Sequence, residues 1–216
     1  MRNRPALSLD IGKNGKFDMI NRKTKIVKDI LKDKTVGIAG LGGLGSNAAI
    51  SLVRAGVGNL ILVDFDKVEQ SNLNRQYYFI EQIGKFKTKA LSENIKNIDP
   101  AVNIIVHNKR LKKGEMYQPF KQADVIIEAL DDADFKTSFI EENLVNYPDK
   151  KIIGASGVTG YGNTDKIELE KLGNLFLVYD KNALPSEKGV LFAPKIALIA
   201  NMQADIALKV LLGDNL

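Results

Sequence analysis

Lys34-Thr35-Val36-Gly37-Ile38-Ala39-Gly40-Leu41-Gly42-Gly43-Leu44-Gly45-Ser46-Asn47-Ala48-Ala49 decides the fold. An apolar run ends in a glycine-rich turn, and a helix-forming segment follows at once. Gly40, Gly42 and Gly45 have the spacing of the dinucleotide fingerprint, each for its own reason. Gly40 permits the tight turn off the strand. Gly42 lets a phosphate approach the backbone, and Gly45 lets the helix pack closely on the strand. Unpaired N–H groups at the helix start, with the positive end of its dipole, favour an anion there. About twenty residues on, Ile61-Leu62-Val63-Asp64 supplies a second strand ending in an acid placed for a ribose hydroxyl. A glycine turn alone is common; strand, turn, helix, strand and acid in this order imply a bound nucleotide.

At 216 residues the chain suits one α/β domain with modest additions. Apolar residues at 44% and charged residues at 26% read as soluble and globular. No apolar run approaches membrane-spanning length and the N-terminus lacks a hydrophobic signal region, so a cytoplasmic protein without membrane contact is expected. Zero cysteines exclude disulfides, thiolate catalysis and a cysteine-ligated zinc. The net charge of +5 is uneven: residues 1–34 hold ten Lys/Arg against four Asp/Glu, the remainder 21 against 22. This separates a basic N-terminal segment with a helix, residues 1–33, from a body of residues 34–216. The basic segment reads as a solvated arm, and the near-neutral body argues against a dedicated nucleic-acid binder.

Residues 19–33 read as a helix with Ile26, Val27, Ile30 and Leu31 on one side. Strands are expected at 35–39, 59–63, 102–106, 125–128 and 152–155, and helices at 45–55, 85–97, 135–146 and 194–212. A polar loop with a short helical turn joins Asp64 to Gln82, and 114–122 reads as a short helix or turn. From Gly157 to Val178, glycine-rich turns alternate with short β-like runs, the pattern of antiparallel hairpin strands. The fold class is therefore α/β: a Rossmann-like, mostly parallel sheet with helices on both faces, plus C-terminal antiparallel strands and a final helix. Ligands of such sheets bind outside the carboxyl ends of the strands. Gly40–Gly45, Asp64, the Asn72–Gln76 loop and Asp131 all fall there.

Val63-Asp64-Phe65-Asp66-Lys67-Val68-Glu69-Gln70-Ser71-Asn72-Leu73-Asn74-Arg75-Gln76 narrows the reading. A nicotinamide dehydrogenase needs the acid at the second strand and nothing further there. Here Asn72, Arg75 and Gln76 supply amide and guanidinium donors where a triphosphate would lie. With Gly40-Leu41-Gly42-Gly43-Leu44-Gly45 before it, the stretch closely resembles the ThiF/MoeB family of ubiquitin-like-protein activating enzymes, and more narrowly the short ThiF-type sulfur carrier protein adenylyltransferases. The resemblance runs from Lys34 to Leu212, most specific at residues 40–76 and looser after 131. It implies ATP-dependent adenylation of the C-terminal glycine carboxylate of a small ubiquitin-like sulfur carrier ending in Gly-Gly. Pyrophosphate would leave, and ATP and Mg²⁺ would be the cofactors.

The resemblance also implies roles for residues. Gly40, Gly42, Gly43, Gly45, Asp64 and Asp66 would line the nucleotide, with Asp64 at the ribose. Asn72 and Arg75 would hold the phosphates, and Lys87 would be the phosphate-binding lysine. The family's proline before that lysine is Phe86 here, and the spacing from Arg75 is one residue short, which leaves Lys85 or Lys89 open. Asp131, rather than Asp132 or Asp134, matches the acid that would hold Mg²⁺ and position the reacting groups. Arg75, Lys87 and Asp131 form the expected catalytic set. The family's next Asn is Asp132 here, and its later Arg is Lys136. Gln76 is read as support for the loop.

Three departures stand out. The family's paired C-x-x-C zinc ligands are missing, so the tail must be held by ordinary packing. The cysteine some relatives use for thioester or persulfide chemistry is missing too, so the reaction stops at the adenylate or passes to another protein's thiol. The N-terminal Arg-Tyr-x-Arg-Gln-like segment, whose arginine reaches a neighbouring subunit's nucleotide, is not clearly present; Arg4 or Arg22 are the substitutes. A homodimer is expected from the resemblance and from the apolar content of the last helix. Two rival readings stay open: a nucleotide-binding scaffold with reduced catalysis, and a nicotinamide-dependent oxidoreductase that would leave Asn72, Arg75 and Asp131 without a task. His107 reads as structural, and Tyr77, Tyr78 and Phe79 as core or dimer packing. Ser156 lacks a histidine partner for nucleophilic work. The resemblance does not distinguish thiazole synthesis for thiamine, molybdopterin synthesis or another product.

Overall fold

A computed structural model describes residues 24–184 and 188–213. Helix α1 covers residues 24–31 of the described chain. Then come β1 (Thr35–Ala39), α2 (Gly43–Ala55), β2 (Asn59–Asp64), α3 (Lys87–Ile98), β3 (Asn103–Asn108), β4 (Val125–Glu128), α4 (Ala133–Asn146), β5 (Lys151–Ser156), β6 (Ile167–Leu172), β7 (Leu175–Asp180) and α5 (Ala193–Leu212). Single 3₁₀ turns at Gln70–Asn72, Ile80–Gln82 and Gln118–Phe120 shape the longer connections. The expected α/β class is what the chain adopts. Among the described residues the strands form one seven-stranded sheet, ordered β3-β2-β1-β4-β5-β7-β6. Every neighbouring pair is parallel except β6 with β7.

Alternation along the strands divides the core in two. Val36 and Ile38 of β1, Leu60 and Leu62 of β2, and Val125 and Ile127 of β4 pack with α1, α2, α3 and α5. Ala39, Ile61, Val63 and Ile126 face the other way, onto Met116, Phe120 and Phe139. Burial on both faces explains why these strands are nearly unbroken apolar runs. Each fully buried Leu or Ile contributes about 1.5–3 kcal/mol relative to an exposed one.

The expected antiparallel pair is present as β6 and β7, and it joins the main sheet: β7 lies between β5 and β6 and runs parallel to β5, from Ile152↔Leu175 to Ser156↔Tyr179. Of the apolar residues placed on one side of α1, Leu31 is buried and Val27 and Ile30 pack on the core, but Ile26 is 51% exposed. The part of that expected helix before residue 24, with Arg4 and Arg22, lies outside the described residues. The apolar face of α5 (Ile196, Ile199, Ala200, Ile206, Ala207 and Leu211) is buried within the chain, and α5 packs on α2, β4, β5 and β7. That apolar content is accounted for without a second copy. No described helix is long and apolar enough to cross a membrane.

Candidate active site

Strand order reverses between β1 and β4, so the crevice for a ligand opens at their carboxyl ends. On one side lies the glycine turn. Gly40 has φ +88°, and a Cβ there would stand 2.6 Å from the carbonyl oxygen of Ala129. The turn after β1 is thereby pressed against the turn after β4, the one that carries Asp131. A Cβ at Gly43 would stand 2.9 Å from Ile196, so close packing of α5 accounts for that glycine. At Gly42 the protein itself forbids nothing: a Cβ would meet only Gln76 Nε2, at 3.8 Å. Helix α2 begins there with no side-chain cap and no acid in its first turn. Its uncapped dipole end thus lies at a partly exposed stretch of backbone, Gly42 and Gly43.

Asp64 is buried at the end of β2, and both carboxylate oxygens are in use. Oδ2 accepts from the Leu41 N–H at 2.6 Å, and Oδ1 accepts from the Asp66 N–H at 2.7 Å. The residue expected at the ribose is therefore also the tie between the glycine turn and β2. Burial raises its pKa above the usual carboxylate value, while Lys87 and the two N–H groups pull it back. Tyr78, buried as expected, donates its hydroxyl to the Leu41 carbonyl and fixes the turn from the other side. Phe79 is exposed and makes an edge contact with Tyr77.

Of the three lysines left open by the sequence, only Lys87 reaches this rim. Its side chain is 8% exposed, and Nζ donates to Asp66 Oδ2 at 2.7 Å. Its backbone N–H donates to the Asp66 carbonyl, which pins the start of α3 to the end of β2. Lys85 instead pairs with Glu93 at the surface, and Lys89 is exposed.

The loop between them is braced from within. Asn72 is buried and its Oδ1 accepts from the Glu69 N–H, closing the 3₁₀ turn. Arg75 NH1 donates to the Ser71 carbonyl and to Asn74 Oδ1, both at 2.8 Å. Its guanidinium makes no contact with Asp64, Asp66 or Asp131; its link to the glycine turn is through Asn47, whose Nδ2 donates to the carbonyls of both Gly43 and Arg75. Gln76 Oε1 is buried without a partner, an acceptor left for a bound hydroxyl or water.

Asp131 is exposed and its carboxylate is unpaired among the described residues. Asp132 caps α4, accepting from the Phe135 N–H at 2.9 Å. The acid just before them was missed by the sequence reading. Glu128, 1% exposed, ends β4 and pairs with Lys136. Burial raises its pKa, and the Lys136 charge lowers it in part. A second buried pair, Lys195 with Asp180 at 2.5 Å, was missed as well. The available signal was the same in both: an acid ending an otherwise apolar strand, Glu128 on β4 and Asp180 on β7. Arg110, on the loop after β3, sits 5.2 Å from the ring centres of both Phe65 and Phe135, at the outer edge of the crevice. His107 lies on the edge strand β3, where burial and then Lys109 lower its pKa, and it meets none of these groups. Among the described residues, no group of three or more His, Asp or Glu side chains is arranged to hold a metal ion by itself.

A family model described as the ThiF family matches residues 17–216. The chain is similar to ubiquitin-like modifier-activating enzyme 5 of Caenorhabditis briggsae, 39% identical over 104 residues, covering 47% of this chain and 24% of that protein. The same enzyme of Drosophila mojavensis is 40% identical over 104 residues and is covered to 26%. The chain therefore spans about a quarter of the length of these curated relatives. In fold it is similar to the E. coli tRNA N6-threonylcarbamoyladenosine dehydratase TcdA in complex with AMP, with a TM-score of 0.81, 20% identity, and coverage of 96% of this chain and 99% of the other. It is also similar to E. coli MccB with ATP, with a TM-score of 0.68, 19% identity, and coverage of 95% and 64%.

Proposed function

The chain belongs to the ThiF family, and from that premise we propose that it adenylates the C-terminal glycine carboxylate of a small ubiquitin-like sulfur carrier of ThiS type, with ATP as co-substrate. The carboxylate oxygen attacks the α-phosphorus, the bond to the bridging oxygen breaks, and pyrophosphate leaves with its electron pair. An acyl adenylate remains. The difficulty of this step is charge: an anion must approach a polyanion, and more charge builds on the leaving group.

The observation that carries the reading is the uncapped start of α2 at the sheet's switch point, where a Cβ on Gly42 would meet nothing closer than Gln76 Nε2 at 3.8 Å. Phosphate oxygens would take the free N–H groups there. Lys87 and the unbonded N–H groups of Arg75 would offset charge on the phosphates, Asn72 would hold the loop that presents them, and Asp64 would meet the ribose. Mg²⁺ suits Asp131, because this ion is usually held by one or two carboxylates together with substrate phosphates rather than by a protein cage. When bound, it would neutralise charge on the phosphates and the departing pyrophosphate. A homodimer and a cytoplasmic setting belong to the same reading, the latter in accord with a chain that has no cysteine.

A second reading in the same reaction class is favoured by the end-to-end match to TcdA. A threonylcarbamoyl group on tRNA also carries a carboxylate, so the activated acid would belong to a modified nucleoside. ATP–pyrophosphate exchange separates the possibilities. The first predicts exchange that depends on a Gly-Gly-ending carrier, the second exchange that depends on modified tRNA. ATP binding without exchange in either case would leave the scaffold. Asp131→Ala should abolish exchange while leaving the circular dichroism spectrum and melting temperature unchanged; wild-type exchange in that variant would remove Asp131 from the site.

A further inference from the structure

We propose that the buried Glu128–Lys136 pair is a positioning device for Asp131, holding the turn after β4 so that the Asp131 carboxylate meets the divalent cation carried by the nucleotide. This rests on the reading of the rim as an ATP·Mg²⁺ site. Strands β4 and β5 pair only as far as Ile127↔Ile153, whereas β5 continues beside β7 to Ser156. Beyond Ile127 the two strands part, at the level where the crevice begins. The split is bridged from both faces of the sheet. From the α5 face, Gln203 Nε2 donates to the carbonyls of Glu128 and Ile153 at 3.0 and 3.1 Å. From the α4 face, Lys136 Nζ donates to Glu128 Oε1 and Oε2 at 2.9 Å each and to the Ala155 carbonyl at 3.0 Å.

The same carboxylate reaches into the turn. Glu128 Oε1 accepts from the Leu130 N–H at 2.7 Å, and the Ala129 N–H donates to the Ala39 carbonyl at 2.8 Å. On the far side, Asp132 is fixed as the cap of α4. Asp131 is thus the one residue of the turn with a free side chain, between two neighbours that are pinned. Lys136 closes the loop by tying α4 back to the strand that α4 follows. A buried ion pair is a poor choice for stability alone, since apolar pairs of similar volume are often as stable or more so. What the pair supplies here is direction: it fixes where the next free carboxylate points.

The test uses the full chain and a fluorescent ATP analogue, titrated with Mg²⁺ and again with EDTA. Wild type, Lys136→Met, Lys136→Arg and the double variant Glu128→Gln/Lys136→Met are compared, with thermal melting as the check on folding. Lys136→Met should bind the analogue in EDTA as tightly as wild type but lose about ten- to a hundredfold of the gain that Mg²⁺ gives, the usual cost of removing a group that orients a metal ligand. Lys136→Arg should restore most of that gain. The double variant leaves no buried unpaired charge, so it tests the same point should the single variant fail to fold; it too should lack the gain. A folded variant without the pair that keeps the wild-type gain overturns the proposal. So does an equal loss of affinity in Mg²⁺ and EDTA, which would make the pair plain packing. Wild type that binds in EDTA but gains nothing from Mg²⁺ removes Asp131's part alone, whereas wild type that binds in neither buffer removes the nucleotide reading itself.

Discussion

A Cβ at Gly45 would stand 1.9 Å from the Gly40 carbonyl oxygen, a backbone atom with no room to retreat. Alanine is the better helix former by about 0.5–1 kcal/mol, yet overpacking costs about 1–3 kcal/mol and occasionally more, and against an immovable backbone atom the clash wins. Gly45→Ala should therefore lower stability in urea unfolding; a neutral or stabilising result would contradict the close turn described here. Arg75 belongs to the same scale. Its unbonded N–H groups should contribute about 1.5–3 kcal/mol to a charged ligand. Arg75→Ala should then weaken ATP binding far more than adenosine binding, by isothermal titration, and equal losses would remove it from the phosphate site. Gly40, Gly45 and Asp64 were legible because the glycines fall between an apolar strand and a helix and the acid ends the next strand. The choice among Lys85, Lys87 and Lys89 was not. It depends on the bridge between Lys67 and Phe86 and on the Lys87 N–H bonding the Asp66 carbonyl, contacts that spacing does not encode.

At the level of elements, α5 is held at its first turn by the Lys195–Asp180 pair. Lys195 Nζ also donates to the Gly162 carbonyl, and Asp180 Oδ1 accepts from the Asn182 N–H. Burial alone would raise the Asp180 carboxyl, but these hydrogen bonds and the Lys195 charge together hold it below its usual 3.8. A depressed carboxylate adds stability that is fully present above its unfolded pKa and is lost as pH falls through the lower folded value. The gap in stability between wild type and Asp180→Asn should accordingly be widest at neutral pH and shrink below pH 3.8. Urea unfolding across pH checks this; a gap that stays flat would contradict it. Lys195→Met, which leaves the acid buried and alone, should cost about 3–5 kcal/mol at neutral pH. The inner strands were readable as short apolar runs between turn signals, and the helices as the longer segments between them. Where β7 sits was not, because the run Leu175–Asp180 is equally good as one arm of a free hairpin or as an inner strand. Its partner β5 lies across an intervening loop and β6, and α5 packs over both strands.

For the whole molecule, strand order and the placement of polar residues tell one story. The carboxyl ends of β1, β2 and β4 bring together the glycine turn, Asp64, Asp66, Lys87 and the turn bearing Asp131, and the Asn72–Gln76 loop is tied to them through Asn47. That convergence follows from a parallel sheet once its elements are known, which is why the position of the candidate site could be read from the chain. The buried braces behind it were hidden because Glu128 and Lys136 are eight residues apart, on a strand and a helix, and no single period relates them. The most direct test is a crystal structure of the chain with Mg²⁺ and a non-hydrolysable ATP analogue. It should show the phosphates over Gly42 at the start of α2, with Arg75 and Lys87 on the phosphates, Asp64 at the ribose and Asp131 at the metal. A nucleotide bound elsewhere, or one that leaves Arg75 and Asp131 untouched, would contradict the account.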